Sequence, residues 1–85
     1  MAKELLGRVE IKEVIEERIR ALPDRYSECR GARVMGIEER DPAQFPANWT
    51  VQISAGSNVC QAQVEAIVRD VMLEFDCNLD VDRIH

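Results

Sequence analysis

Residues 48–75 read NWTVQISAGSNVCQAQVEAIVRDVMLEF, and this stretch decides the fold. Trp49, Val51 and Ile53 alternate with Thr50, Gln52 and Ser54, the period of a half-buried strand. Ala55-Gly56-Ser57 makes a turn. Ser57 or Asn58 then caps a helix predicted to run to about Asp76, and Asn58 with Gln61 three residues on has capping-box spacing. Its apolar stripe is Cys60, Val64, Ile67, Val68, Val71, Met72 and Phe75, at helical spacing. Glu65 and Arg69 pair at i,i+4 on the wet side. Asn78 is a candidate left-handed residue at the helix end.

Upstream of this strand-turn-helix, a second helical period runs from Ile11 to Leu22, with Ile11, Val14, Ile15, Ile19 and Leu22 on one stripe. Acids fill its first turns and Arg18 and Arg20 its last, which suits the helix dipole. Glu16 and Arg20 are an i,i+4 pair. Pro23 stops the helix. Residues 1–10 show a weak alternation of two, and Gly7 disfavours helix by about 1 kcal/mol, so they are expected to form an extended arm. Asp24–Gly31 reads as a polar connection, with Tyr26 and Cys29 as its inward candidates. Ala32–Arg40 reads as a strand. Val34 and Ile37 are three apart across Gly36, the mark of a β-bulge; the other reading turns Met35 and Ile37 inward instead of Val34. Residues 41–47, DPAQFPA, form a loop that joins antiparallel neighbours. The tail 77–85 is expected to be loose.

The expected architecture is therefore α+β: a two-layer α-β-β-α domain, residues 1–85, with two helices on one face of an antiparallel β-hairpin. Eighty-five residues leave no room for a second core. A two-stranded sheet is marginal alone. The N-terminal arm and a second subunit are the candidates for extending it, and a homodimer is expected.

Composition bounds function. The formal net charge is -5, which repels a phosphate backbone and disfavours nucleic-acid binding. The last helix has one Arg and no Lys, so it lacks the phosphate-binding cluster of a double-stranded RNA-binding domain. No apolar run approaches the roughly 20 residues of a membrane span, and the N-terminus lacks a signal-peptide pattern. The three cysteines, Cys29, Cys60 and Cys77, are odd in number and none is paired at C-x-x-C spacing. They point to a reducing, cytoplasmic setting.

Candidate chemistry is thin. The single histidine, His85, is the last residue and a poor positioned base. Cys60 lies on the helix stripe and reads as a small buried hydrophobe. Cys29, beside Arg30, is the best of the three for redox chemistry, because a nearby Arg lowers thiol pKa. A zinc set of Cys29, Cys60, Cys77 and His85 lacks paired local spacing. Residues 76–82, DCNLDVD, echo the start of a calcium loop but lack its Gly and its final Glu. No catalytic set, metal site or cofactor site is expected. The remaining candidates are partner or ligand contacts: Arg18, Arg25, Arg30 and Arg33, with Arg20 among them, and the aromatics Phe45 and Trp49. Trp49 reads first as core, and as an interface residue if its ring lies at an edge.

RIRALP at residues 18–23, NWTV at residues 48–51, Cys60 and FD at residues 75–76 together resemble a group of small bacterial proteins of the rhizobial and α-proteobacterial type. The resemblance covers residues 11–76. It implies the α-β-β-α plan and a bacterial origin, and carries over no catalytic residue. The expected function is a non-catalytic protein-interaction or regulatory module. The alternative is a small-ligand or anion-binding accessory protein that uses the Arg cluster near Trp49.

Overall fold

The computed structural model describes residues 3–78. The element order is β1 (Glu4–Leu6), α1 (Arg8–Arg20), a 3₁₀ segment (Asp24–Gly31), β2 (Arg33–Glu39), β3 (Trp49–Ser54), α2 (Asn58–Glu74) and β4 (Phe75–Cys77). The α+β expectation holds. β2 and β3 form an antiparallel hairpin, and α1 and α2 pack against each other beneath it.

The hairpin register sets Val34 opposite Ile53, Ile37 opposite Val51 and Glu39 opposite Trp49. The ladder shifts between Val34 and Gly36, so Met35 is the extra residue of a bulge. Val34 is therefore buried and Met35 is 67% exposed, which decides between the two readings of this strand. Ile37, Val51 and Ile53 face the helices with Val34 and Trp49. Glu38, Thr50 and Gln52 take the other face, where Gln52 donates to Glu38 at 2.5 Å.

α1 buries Ile11, Ile15 and Ile19 completely. Val14 and Leu22 pack beside them. The helix starts three residues earlier than its apolar stripe. Gly7 is the N-cap in extended backbone, and the Glu10 carboxylate accepts the Gly7 N–H at 3.3 Å. Val9 is then a surface residue of the first turn, 66% exposed. The polar connection after Pro23 is 3₁₀ helix kinked at Tyr26, with only Cys29 buried.

α2 is capped by Ser57, whose Oγ accepts the Cys60 N–H at 3.2 Å. Gly56 supplies the turn before it with φ +79, a conformation glycine adopts without steric cost. Buried residues are Cys60, Val64, Val68, Val71 and Met72. The helix end differs from expectation. No described non-glycine residue has positive φ, so Asn78 is not a left-handed cap. Phe75 turns directly into extended backbone and opens β4.

β4 is the partner of the N-terminal arm. Glu4, Leu5 and Leu6 run parallel to Phe75, Asp76 and Cys77, and the Asn78 N–H closes the pairing on Leu6 O at 2.8 Å. The arm thus builds a second small sheet and does not extend the hairpin. Residues 77 and 78, expected in a loose tail, are held by this pairing. Residues 79–85, with most of the acidic tail and His85, lie outside the described residues.

Candidate functional site

The arginines expected to cluster are spread and engaged. Arg18, on the last turns of α1, meets Glu74 of α2 at 2.5 Å. That hydrogen bond and charge hold the Glu74 carboxyl below its ordinary pKa and raise that of Arg18. The Arg30 guanidinium donates twice to Leu22 O, at 3.0 and 2.6 Å, and once to Asp24 at 2.9 Å. It satisfies a carbonyl just past the end of α1, where backbone acceptors lack helical partners. Arg25 stacks over Tyr26 at 5.1 Å. Arg33 opens β2 opposite Ser54. Arg20 is exposed on α1 and makes no i,i+4 pair with Glu16, whose carboxylate instead accepts the Val34 N–H at 3.2 Å. Glu65 accepts from Gln61 rather than Arg69.

The aromatics part company as well. Phe45 is 39% exposed, with the Arg40 guanidinium 5.9 Å from its ring centre. Trp49 is wholly buried and its Nε1–H donates to Phe75 O at 3.1 Å. Its role in the structure is packing. The cavity at Arg18 is lined by Val14, Glu17, Ala21 and Phe75, so that arginine and Trp49 share no cleft.

Two other places are better built. The first is the free edge of β3. Arg40 N–H bonds Asn48 O, so by the two-residue alternation of the ladder Thr50 and Gln52 point their backbone groups at β2. Val51 and Ile53 therefore point theirs at the opposite edge, where no described strand pairs. Beneath that edge runs a groove of about 330 Å³ between β3 and α2, lined by Pro46, Thr50, Val51, Val68 and Met72 with Glu65 and Arg69 at its rim. The edge of β2 is different. Glu16 occupies the Val34 N–H, and the Met35 bulge interrupts the line.

The second place is the N-terminal end of α2. Cys29 and Cys60 form a disulfide there, with Cα atoms 5.1 Å apart. This corrects the expectation that the thiols stand singly and that Cys60 is plain packing. The odd count hid a pair plus one buried cysteine outside the disulfide, Cys77. Cysteine count therefore no longer supports a reducing compartment. The four-ligand set with Cys77 also fails, because Cys60 and Cys77 lie at opposite ends of α2, on the order of 20 Å apart at the helical rise. The Glu28 carboxylate, which the sequence reading passed over, joins the pair: its oxygen and the two sulfurs all lie within 4.8 Å of one another. The signal that could have found this pair was position, since both cysteines were inward candidates on segments flanking the same layer.

Compared with protein-family models, curated proteins and solved structures, the chain matches none. Among the described residues no helix is long and apolar enough to cross a membrane.

Proposed function

We propose that the protein is a non-catalytic interaction module whose first partner is a second copy of itself, joined through β3. The unequal edges of the hairpin carry this reading. β2 is blunted by a carboxylate and a bulge, both devices that oppose further pairing. β3 has neither, and its free backbone groups lie over an apolar groove, the arrangement of strand addition. Two β3 strands meeting antiparallel about a two-fold axis make a four-stranded sheet whose outer edges are the blunted β2 strands. The groove rim is self-complementary, because a two-fold brings Glu65 of one copy toward Arg69 of the other. A cytoplasmic, bacterial setting belongs to the same reading.

Light scattering after size exclusion tests it. The expected mass at micromolar concentration is twice the 9.7 kDa of the chain. Val51→Pro removes an edge N–H and no bond to β2, so it is expected to yield a folded monomer. Glu65→Arg is expected to weaken the dimer, and the swap E65R/R69E to restore it. A wild-type mass of one chain refutes the reading. The anion-binding alternative has no comparable support, since Arg18 and Arg30 are already occupied by Glu74, Asp24 and Leu22 O.

A further inference from the structure

We propose that the reduced Cys29–Cys60 pair, with Glu28, is a site for a thiophilic divalent cation of the zinc class, and that peroxide expels the ion by closing the disulfide. The ligand set is the first argument. Two thiolates and a carboxylate select zinc over magnesium or calcium, which take oxygen ligands. The three donor atoms are already gathered within 4.8 Å. Two Zn–S bonds of about 2.3 Å at a tetrahedral angle hold the sulfurs roughly 3.8 Å apart, so reduction needs only a small parting of the 3₁₀ segment from α2.

The surroundings are the second argument. Both sulfurs are buried while Glu28 is exposed. The protein therefore closes the inner side of the ion and leaves the outer position to water. A cavity of about 260 Å³ lined by Glu28, Gly31, Ala32, Ser54, Ala55 and Gly56 adjoins that side.

Electrostatics is the third. Cys60 is in the first turn of α2, which carries no acidic residue of its own. The positive end of a 17-residue helix favours negative charge beside it. Two thiolates and one carboxylate around a divalent cation leave a net charge of minus one at that end, which the dipole also favours.

The switch balances. The zinc dithiolate, one hydrogen peroxide and two protons give the disulfide, free Zn²⁺ and two waters. Two Zn–S bonds and the O–O bond break, and the S–S bond forms. The two sulfurs each lose one electron and the peroxide gains two.

The test uses the full chain, reduced with a phosphine and freed of it without air, and titrated with Co²⁺ as the spectroscopic probe. Reduced protein is expected to bind one equivalent with a thiolate-to-cobalt charge-transfer band. Zn²⁺ should displace the cobalt and quench that band, and the oxidised protein should show none. Cys77→Ala should keep the band and Cys60→Ala should lose it. Glu28→Gln, an exposed change that leaves folding intact, should weaken affinity at least tenfold. Peroxide should release one Zn²⁺, read with a chromophoric chelator, per two thiols lost. No charge-transfer band in reduced wild type overturns the site, as does an equal band in Cys60→Ala. Unchanged affinity in Glu28→Gln overturns the three-ligand assignment. Because Glu28 and Cys60 do not line the β3 groove, failure here leaves the dimer reading standing, and a monomeric wild type leaves this site standing.

Discussion

The two ends of α2 are fastened by different chemistry. At the N-terminal end one covalent bond ties Cys60 to Cys29 of the 3₁₀ segment. At the C-terminal end the fastening is polar and distributed. Asn48 uses its whole side-chain amide on one residue: its Nδ2 donates to Cys77 O and its Oδ1 accepts the Cys77 N–H, both at 2.9 Å. Trp49 adds its bond to Phe75 O, and β1 pairs alongside. The first fastening answers to redox conditions and the second does not. One helix thus has a conditional end and a permanent end, and the conditional end carries the candidate metal ligands.

A large effect expected from this comparison is at the covalent end. The disulfide closes a loop with a sequence separation of 31, worth about 3–4 kcal/mol in chain entropy. Urea unfolding of Cys29→Ala/Cys60→Ala, or of wild type under a metal-free reductant, should show a loss of that size. A loss below about 1 kcal/mol would mean that the unfolded chain gains little freedom when the loop opens.

Next comes the polar end. Asn48→Ala removes both bonds to Cys77 and is expected to cost about 2–6 kcal/mol, at 1–3 for each buried group left without its partner. The loss should be the same with the disulfide open or closed. The two ends are separated by most of the helix, so the double change should add within about 0.5 kcal/mol. A clear departure from additivity would mean that α2 is held as one cooperative unit and that the contrast between its ends is false.

How much of this could be read beforehand follows from the range over which each signal acts. The stripes of α1 and α2 and the alternation at Trp49–Ser54 are local records of burial, and they were legible. The bulge was only half legible: Gly36 marked the break in period between Val34 and Ile37, but two facings of the strand stayed open until the register showed Met35 as the extra residue. The extended arm was read, and β1 lies within it; its partner β4 was not, because both strands are three residues long and pair across some 70 positions of chain. Phe75 shows the cost: it continues the α2 stripe in spacing, yet its backbone belongs to β4. The cysteine pair was missed because parity treats three cysteines as one set. Trp49 was read as core before all else, and it is. The Arg cluster was a cluster in sequence only, since α1 and the 3₁₀ segment turn Arg18 and Arg30 toward different partners.

A smaller effect separates the cap from the staple within the N-terminal end. Ser57 Oγ accepts the N–H of Cys60 itself. Ser57→Ala should cost about 1 kcal/mol, read by thermal unfolding. The exposed position leaves no cavity. If Ser57→Ala and the loss of the disulfide are strongly coupled, the cap acts by holding Cys60 for Cys29 rather than by ending the helix.

The smallest effect concerns the Arg18–Glu74 pair, which ties α1 to α2 near the permanent end. Glu74 has its pKa lowered from 4.5 by the hydrogen bond and charge of Arg18. A carboxylate with a depressed folded pKa contributes stability above its unfolded value, and that contribution falls away as pH drops through the folded value. The raised pKa of Arg18 acts only in strong alkali. The pair is solvent-exposed, so screening makes it weak. Glu74→Gln should therefore be slightly less stable than wild type at pH 7 in low salt. The gap should close at molar salt and again as pH falls through the lowered folded pKa of Glu74, where wild type loses the charge too. A gap that persists at low pH would show that the carboxyl of Glu74 differs from an amide there by something other than its charge. The permanent end would then rest on Asn48, Trp49 and the β1–β4 pairing, with no electrostatic share.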